Sequence, residues 1–531
     1  FHILALFLRT SHPNFDILIQ IPTQTEIIFV HLLHENAFNK MRGGRLMYTF
    51  LGAIALLLIG YFTYGKFVEK VFQPKTERTT PAYTHNDGVD YIPMGKNKNS
   101  LIQLISIAGV GPIFGPIMGA LYGPVAFIWI VIGCIFAGAV HDYLTGMISI
   151  RNGGAHLPEL AGRFLGKAMK HVVNAFSILL LLLVGTVFVA SPADLLYDLV
   201  NGSVPVIIFV VLIFIYFLLA TILPITKIIG NIYPYIGALL LFSTVGIGAA
   251  LVWNQAPIPE LSLTNTHPSG VAIFPLLFLT ISCGALSGFH ATQSPIISRT
   301  TQNESQGRRI FYGMMIAEGM IAMIWAAAAM SLFDGPITLN ELINTIGTGG
   351  IVSEISTMML GPVIGTLAIL GVIILPITSG DTAFRSARMI IADYIKVPQK
   401  KIMNRIWIAA PLFIISIILT TVDFTMLWQY FNWANQSTAV IALWIGAMFL
   451  FVARRNYWIA IFPAWFMSVT ATTYIMNAPI GLNLPMQTSV IIGVLFTVLL
   501  TVLFFRSANR RRAENLPLEE DISDWESKQS A

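Results

Sequence analysis

Residues 107–119 read IAGVGPIFGPIMG, an apolar stretch interrupted by glycines and two prolines. Proline removes a backbone donor and clashes with the preceding helical turn, and glycine lets the chain leave the helix. Free backbone groups at membrane depth are tolerated only where they face protein or a water-filled cavity. We therefore expect an unwound transmembrane helix here, with a backbone that binds substrate. The candidate substrate-binding residues of this stretch are Gly109, Gly111, Pro112, Gly115 and Pro116.

A second stretch, TISCGALSGFHATQSP at 280–295, is interrupted by small and polar residues. Two discontinuous helices at matching places in halves of opposite orientation are typical of inverted-repeat transporters, whose substrate site lies between them. The alternative for both stretches is close helix packing through glycine, and a lone histidine here can be a packing residue. The candidate substrate-binding residues of the second stretch are Gly284, Ser287, Gly288, His290 and Gln293.

The composition of the whole chain is that of a polytopic, all-α membrane protein. Of its 531 residues, 55% are hydrophobic and only 11% are charged, whereas soluble domains carry about 25% charged residues. Apolar runs of about 20 residues are each long enough to cross a bilayer as a helix. We predict thirteen such spans, at 47–64, 101–121, 124–144, 171–191, 204–223, 231–252, 271–290, 310–332, 353–379, 406–422, 434–453, 457–476 and 486–505.

Lysine and arginine fall in alternate connections between these spans. The positive-inside rule then places the basic connections in the cytoplasm, with the N-terminus outside and the C-terminus inside. Since the basic residues sit between spans, the net charge of +5 gives no indication of nucleic-acid binding. We predict a transporter domain at 47–505, a doubtful N-terminal extension at 1–46 and a cytoplasmic tail at 506–531.

Three ionisable residues within the spans are candidates for ion coupling. Glu318 lies well inside span 310–332, where an ionised carboxylate is costly and a functional role is the default interpretation. His141 and Asp142 lie near the inner end of span 124–144, and histidine titrates near neutral pH. The alternatives are a structural hydrogen bond or ion pair for Glu318, and helix termination or an interfacial position for the His–Asp pair.

The end of span 353–379 offers several oxygen atoms together. Thr378, Ser379 and Asp381 are candidate ligands for a coupling cation, since hard cations prefer oxygen. The alternative is that Asp381 caps a cytoplasmic helix and that Arg385 and Arg388 contact lipid headgroups.

Several of these stretches, in this order, resemble the carbon starvation protein A family. The resemblance covers about residues 47–505. It rests on YFTYGKFVEKVF (61–72), VDYIPMGKN (89–97), IAGVGPIFGPIMGALYGP (107–124), GAVHDYLTGMISIRNGG (138–154), CGALSGFHATQSP (283–295), AEGMIAMIW (317–325) and TSGDTAFRSARMIIADY (378–394).

The resemblance implies uptake of peptides, or of pyruvate in some members, during nutrient limitation. It also implies the amino acid–polyamine–organocation fold, in which two inverted repeats of five helices each begin with a broken helix. The repeats would cover about 101–252 and 271–453. By fold-level analogy with sodium-coupled relatives, a cation would lie near Ala108, Gly109, Thr378 and Ser379.

These observations predict a secondary active transporter of the bacterial inner membrane that imports peptides, pyruvate or small carboxylates. The coupling ion would be H⁺ or Na⁺, with no cofactor and no resident metal. We expect no nucleic-acid partner and consider a homo-oligomer possible. An ATP-driven pump is not expected, because the sequence has no GxxxxGK[ST] pattern, and an enzyme is not expected, because it has neither HExxH nor GxSxG. A channel and a membrane nutrient sensor are the alternative functions.

Overall fold

The computed structural model describes residues 47–200, 202–222 and 229–519. In this part of the chain every regular element is helical, and one isolated bridge joins Met94 to Thr301. The all-α prediction is therefore confirmed. The expected extension at 1–46 and residues 520–531 of the expected tail lie outside the described residues.

The helices of the first half include one interrupted pair. They are α1 (Tyr48–Phe62), α2 (Tyr64–Phe72), α3 (Pro81–Thr84), α4 (Lys96–Ala108), α5 (Gly111–Gly119), α6 (Val125–Gly133), α7 (Ala139–Arg151), α8 (Leu157–Phe164), α9 (Lys167–Leu199), α10 (Val206–Ile222) and α11 (Ile229–Trp253).

The second half begins with another interrupted pair. Its helices are α12 (Leu276–Thr280), α13 (Phe289–Ser298), α14 (Gly313–Leu332), α15 (Pro336–Ile395), α16 (Ile402–Leu419), α17 (Phe424–Val452), α18 (Trp458–Asn477) and α19 (Met486–Ala513). A π-helical turn joins α6 to α7 at Cys134–Gly138, and another precedes α14 at Arg308–Tyr312.

Nine helical stretches within the described residues are long and apolar enough to cross a bilayer. The bent pair α4–α5 makes a tenth, and α10 is a shorter apolar helix. Each of the thirteen predicted segments overlaps a helix or an interrupted pair. A multi-pass inner-membrane protein is thus confirmed, while the count of thirteen, the inverted repeat and the orientation of the termini stay predictions.

The first predicted break is present, but it is shorter than the sequence suggests. The helix stops at Ala108 and restarts at Gly111, with a bend of 48° between the two halves. Gly109 has a φ of 32°, a value that side-chain-bearing residues rarely adopt. The expected unwinding beyond Gly111 is wrong, because Pro112 lies in the first turn of α5, where its missing N–H costs no helical hydrogen bond.

The second predicted break is longer. Helix α12 ends at Thr280 and α13 begins at Phe289, so the chain leaves the helix over the residues between them. Gly284 has a φ of 91° there. This segment packs against the first interrupted helix, because a Cβ on Gly111 would overlap Cys283 and a Cβ on Gly115 would lie 2.6 Å from the carbonyl oxygen of Thr280. Gly111 and Gly115 therefore allow close packing between the two interrupted segments, which was the alternative to substrate binding.

Several boundaries differ from the sequence prediction, and two of them extend a helix toward the basic end of the bundle. Helix α15 is broken at Gly347 and Gly361, and its last part continues to Ile395 rather than ending at 379. Helix α19 continues to Ala513, so the first part of the expected tail is helical.

Candidate functional site

Four of the predicted site residues form one buried chain of acids and histidines. The two oxygens of Asp142 each contact an imidazole: Oδ1 lies 2.8 Å from Nδ1 of His141, and Oδ2 lies 2.9 Å from Nδ1 of His290. The other ring nitrogen of His290, Nε2, lies 3.3 Å from Oε2 of Glu318. Each of the four residues is at most 1% exposed. The structure therefore joins residues that the sequence assigned separately to ion coupling and to substrate binding.

Each of the four side chains lies on a helix that begins after an irregular backbone segment. His141 and Asp142 lie in the first turn of α7, directly after the π-helical turn Cys134–Gly138. His290 is the second residue of α13, where the helix restarts after the interruption. Glu318 lies in α14, which follows the other π-helical turn. Single π turns and broken helices are frequent at functional sites in membrane proteins.

Polar side chains satisfy the backbone groups that the second break frees. The N–H of Phe289, at the start of α13, donates to Oδ1 of Asn435 at 2.7 Å. The carbonyl of Leu286 accepts from Nε2 of Gln436 at 2.9 Å, and that of Ile281 accepts from the indole of Trp129 at 2.9 Å. These contacts meet the requirement that backbone at membrane depth be hydrogen-bonded internally.

Asn435 and Gln436 were missed by the sequence analysis. They lie at the start of the predicted span 434–453, where polar residues are easily assigned to an interface. The available signal was the run FNWANQS at 431–437, which places three amides inside helix α17. Intramembrane amides commonly hydrogen-bond between helices.

The remaining candidates of the second stretch are buried around this segment. The hydroxyl of Ser287 donates to Oδ1 of Asn435 at 3.1 Å. A Cβ on Gly288 would overlap the backbone of Asn435, so this glycine allows close contact with α17. Nε2 of Gln293 donates to Thr292 at 3.0 Å, while Oε1 has no hydrogen-bond partner among the described residues.

Gln103 is a second buried amide that the sequence analysis did not single out. It lies in α4, it is fully buried, and neither its Nε2 nor its Oε1 has a partner within the described part of the chain. Its helix contacts α13, and Asn99, one turn earlier, hydrogen-bonds Thr301 at 3.0 Å and Thr300 at 2.7 Å just after α13 ends. Unpaired buried amides are costly, so they call for a ligand or water.

The proposed cation ligands divide between two places. Ser379 lies at the first break: its hydroxyl accepts from the N–H of Gly109 at 3.1 Å and donates to the carbonyl of Ile105 at 3.0 Å. Thr378 bonds back to the carbonyl of Leu375 at 2.7 Å. Asp381 instead accepts a hydrogen bond of 2.7 Å from Tyr216 on α10. The structure therefore brings Ser379, but not Asp381, to the interrupted helix.

One further group lies beside the acid–histidine chain. Ligand atoms of Cys283, His290 and Glu318 all lie within 4.8 Å of one another. Thiolate, imidazole and carboxylate are the ligand types that zinc uses in proteins. No motif in the sequence indicates this group, because its members come from the second interruption and from α14. The geometry is compatible both with a shared proton and with a bound cation.

The end of the bundle that carries the basic connections is closed by buried ion pairs. Asp90 lies 3.1 Å from Nη1 of Arg385 and 3.5 Å from Nη2 of Arg388. Both arginines are at most 1% exposed. The alternative in which these arginines contact lipid headgroups is therefore wrong, because the segment before α4 folds inward and supplies the carboxylate of Asp90. A second pair joins Arg299 to Asp393 at 3.3 Å.

Comparison with known proteins places the chain in a family. Residues 46–215 and 206–358 match the family described as carbon starvation protein CstA. The chain belongs to this family. The matched region includes both interruptions and the whole acid–histidine chain.

Relatives within the CstA family include named transporters. An uncharacterized membrane protein of Haemophilus influenzae is 49% identical over 350 residues, which is 56% of this chain and 94% of that protein. The peptide transporter CstA of Escherichia coli is 25% identical over 82% of each chain. The pyruvate/proton symporter BtsT of Escherichia coli is 27% identical over 54% of this chain and 49% of that protein.

A solved structure shares the fold of this CstA-family chain. It is a manganese transporter of Eremococcus coleocola, with a TM-score of 0.54 at 13% identity, covering 80% of this chain and 99% of that one. At this identity the likeness concerns the fold alone. It shows that the two chains share an all-helical membrane fold.

Proposed function

We propose that this protein is a secondary active transporter that imports peptides, pyruvate or small carboxylates by ion-coupled symport during carbon or nutrient starvation. The observation that carries the proposal is the buried chain His141–Asp142–His290–Glu318 at the second helix break. The names of the family relatives, a peptide transporter and a pyruvate/proton symporter, support the two cargo classes.

Proton coupling is the form of symport that this chain of groups favours. Two carboxylates and two imidazoles lie in series, each within 3.3 Å of the next. Ionised groups buried in a protein must be paired, so a change of protonation at one member alters the balance of the whole set. Coupling follows if cargo binding requires the protonated set and release allows the proton to leave. Sodium, bound near Gly109 and Ser379, is the alternative coupling ion.

The cargo site is proposed to lie between the two breaks. Gln103 and Gln293 are buried amides on the contacting helices α4 and α13, and both retain polar atoms without partners among the described residues. Amide groups can donate to a carboxylate and accept from an ammonium or peptide N–H. They therefore suit the polar ends of a small carboxylate or a short peptide.

Alternating access requires the inverted repeat and orientation inferred from the sequence. We infer that the five-helix repeats begin at α4–α5 and at α12–α13, and that the basic end faces the cytoplasm. Arg385, Arg388 and Asp90 then form a closed cytoplasmic gate, while the buried acid–histidine chain is occluded from that side. Opening would separate these ion pairs and expose the site.

The experiment that tests the function is uptake into proteoliposomes. Labelled pyruvate and a panel of di- and tripeptides would be supplied with an imposed proton or sodium gradient, with protein-free liposomes as the control. Uphill accumulation that collapses when one gradient is removed supports symport and identifies the ion. Equilibration without accumulation would favour a channel, and binding without flux would favour a sensor.

A further inference from the structure

An apolar groove lies on the membrane-facing side of the bundle, away from the two helix breaks. It has a volume of about 720 Å³ and lies between α9, α17, α18 and α19. Its floor is one face of α17, with Trp433, Val440, Trp444 and Met448, and its outer wall includes Phe504 of α19. Pockets of about 300–1,000 Å³ accommodate a sizeable organic ligand.

The chemistry of the groove excludes the transported cargo. Its lining is dominated by aliphatic and aromatic side chains. The indole N–H of Trp444, a lining residue, already donates to the hydroxyl of Ser468 at 3.2 Å. The groove therefore offers an apolar surface to its occupant, unlike the unpaired amides of the proposed cargo site.

One end of the groove is positively charged. Arg511 sits there: its Nε donates to the hydroxyl of the lining residue Ser507 at 3.2 Å, and its Nη1 donates to the carbonyl of Arg163 at 2.8 Å. Lys167 lies two residues from both lining residues Leu165 and Met169; it is exposed, and no described residue pairs with it.

The start of α9 adds to this positive end. Helix α9 begins at Lys167, its N-cap is Gly166, and no side chain caps it. The guanidinium of Arg511 lies beside Gly166, 3.6 Å from where a Cβ would stand. Helix N-termini carry a partial positive charge and free N–H groups that favour anions. An arginine, an unpaired lysine and a helix N-terminus thus converge where the apolar groove ends.

We propose that this groove binds an anionic phospholipid of the bilayer, with its acyl chains along α17 and its phosphate at Lys167, Arg511 and the start of α9. The lining residues Trp433 to Met448 span fifteen helical steps, about 22 Å at 1.5 Å per residue. This exceeds half of the roughly 30 Å hydrocarbon core, so a full acyl chain fits along it. Basic pockets between transmembrane helices are known to bind anionic headgroups.

The test is lipid retention by the full-length purified protein, measured with native mass spectrometry after stepwise delipidation. Phosphatidylglycerol should remain bound when phosphatidylcholine of the same chain length has been removed, and it should raise the thermal midpoint more than phosphatidylcholine does. Each of Lys167→Gln and Arg511→Gln should weaken phosphatidylglycerol retention about fivefold, the effect typical of one basic residue near a lipid surface.

Two further variants distinguish the contribution of the basic residues to lipid binding from that of the apolar groove. Arg510→Gln removes an exposed charge that pairs with Glu514, just after the end of α19, at 3.7 Å, so it should leave retention unchanged. Val440→Phe narrows the groove without changing charge, so it should release both lipids. Equal retention of the two lipids by the wild type, or an unchanged phosphatidylglycerol affinity in Lys167→Gln, would overturn the proposal. A dimer that forms on delipidation and excludes lipid would show that a second copy occupies the groove instead.

Discussion

Nε2 of His290 lies 3.3 Å from Oε2 of Glu318, and both side chains are fully buried. The contact links the restart of an interrupted helix to the middle of α14, so movement of α13 against α14 would change it. The opposite ring nitrogen of His290 is held by Asp142 at 2.9 Å. His290 therefore contacts both carboxylates and connects Glu318 to the His141–Asp142 pair.

Glu318→Gln should abolish proton-driven accumulation of cargo while the protein still folds. Glutamine keeps the size and polarity of the side chain but does not take up or release a proton. Downhill exchange of labelled against unlabelled cargo should persist, because exchange does not require net proton movement. The measurement is uptake and counterflow in the same proteoliposome preparation.

The matched control is Glu341→Gln, which changes an exposed carboxylate near the start of α15. It should accumulate cargo at the wild-type level. Full accumulation by Glu318→Gln would contradict a role of Glu318 in coupling. It would favour the alternative in which sodium binds near Ser379.

Cys283→Ala distinguishes a proton from a metal cation at the acid–histidine chain. A proton shared by His290 and Glu318 needs no thiol, so coupled uptake should survive this substitution. A bound thiophilic cation would lose one of its three protein ligands, and chelation or added Zn²⁺ should then affect the wild type far more than the variant. Cys134→Ala, at the other buried cysteine, serves as the control.

Gln103→Ala tests the proposed cargo site. Both polar atoms of this amide are buried without partners in the described structure, so its removal breaks no hydrogen bond within the described residues. If cargo supplies those partners, the apparent KM should rise about tenfold or more, which corresponds to about 1.4 kcal/mol of lost binding. Gln487→Ala, at an exposed position, should leave KM unchanged. A normal KM in Gln103→Ala would place the cargo elsewhere.

The candidate residues could be chosen from the sequence, but their arrangement could not. Glu318, His141 and His290 were each noticeable because an ionisable group in an apolar span is costly. Their proximity depends on how α7, α13 and α14 pack, which no local pattern encodes. Glycine and proline located both breaks, yet Pro112 begins a helix rather than ending one. Which interpretation applies to a proline depends on whether its N–H would have been needed.

Asn435→Ala should destabilise the second break by about 1–3 kcal/mol, the typical cost of leaving buried groups unpaired. The substitution removes the acceptor for the N–H of Phe289 and for the hydroxyl of Ser287. Thermal unfolding in detergent would measure the loss. Asn432→Ala, whose contact with Ser282 is longer at 3.4 Å, should cost less. Equal midpoints for the two variants would contradict this account of the break.

Asp90→Asn should open the proposed cytoplasmic gate. Asparagine preserves shape but leaves Arg385 and Arg388 without their shared negative charge, and breaking a buried pair commonly costs about 3–5 kcal/mol. The readout is labelling of a cysteine introduced at Gln103, in a background without Cys134 and Cys283, by a membrane-impermeant thiol reagent. Labelling from the basic side should be faster in Asp90→Asn than in the wild type.

The pH dependence of uptake in Asp90→Asn tests whether the gate and the proposed coupling site are separate. Burial raises the pKa of the Asp90 carboxyl, but Arg388 and Arg385 outweigh this effect and hold it below its usual value. A lowered pKa stabilises the closed gate above the ordinary aspartate pKa of about 3.9, and this stabilisation disappears only as the pH falls through the still lower folded value. The gate is therefore fully charged between pH 5 and 8. Asp90→Asn should change the rate of uptake but leave the shape of its pH profile unchanged in that range. The exposed control Glu77→Gln should leave both the rate and the profile unchanged. A shifted profile in Asp90→Asn would instead make Asp90 part of the proton pathway.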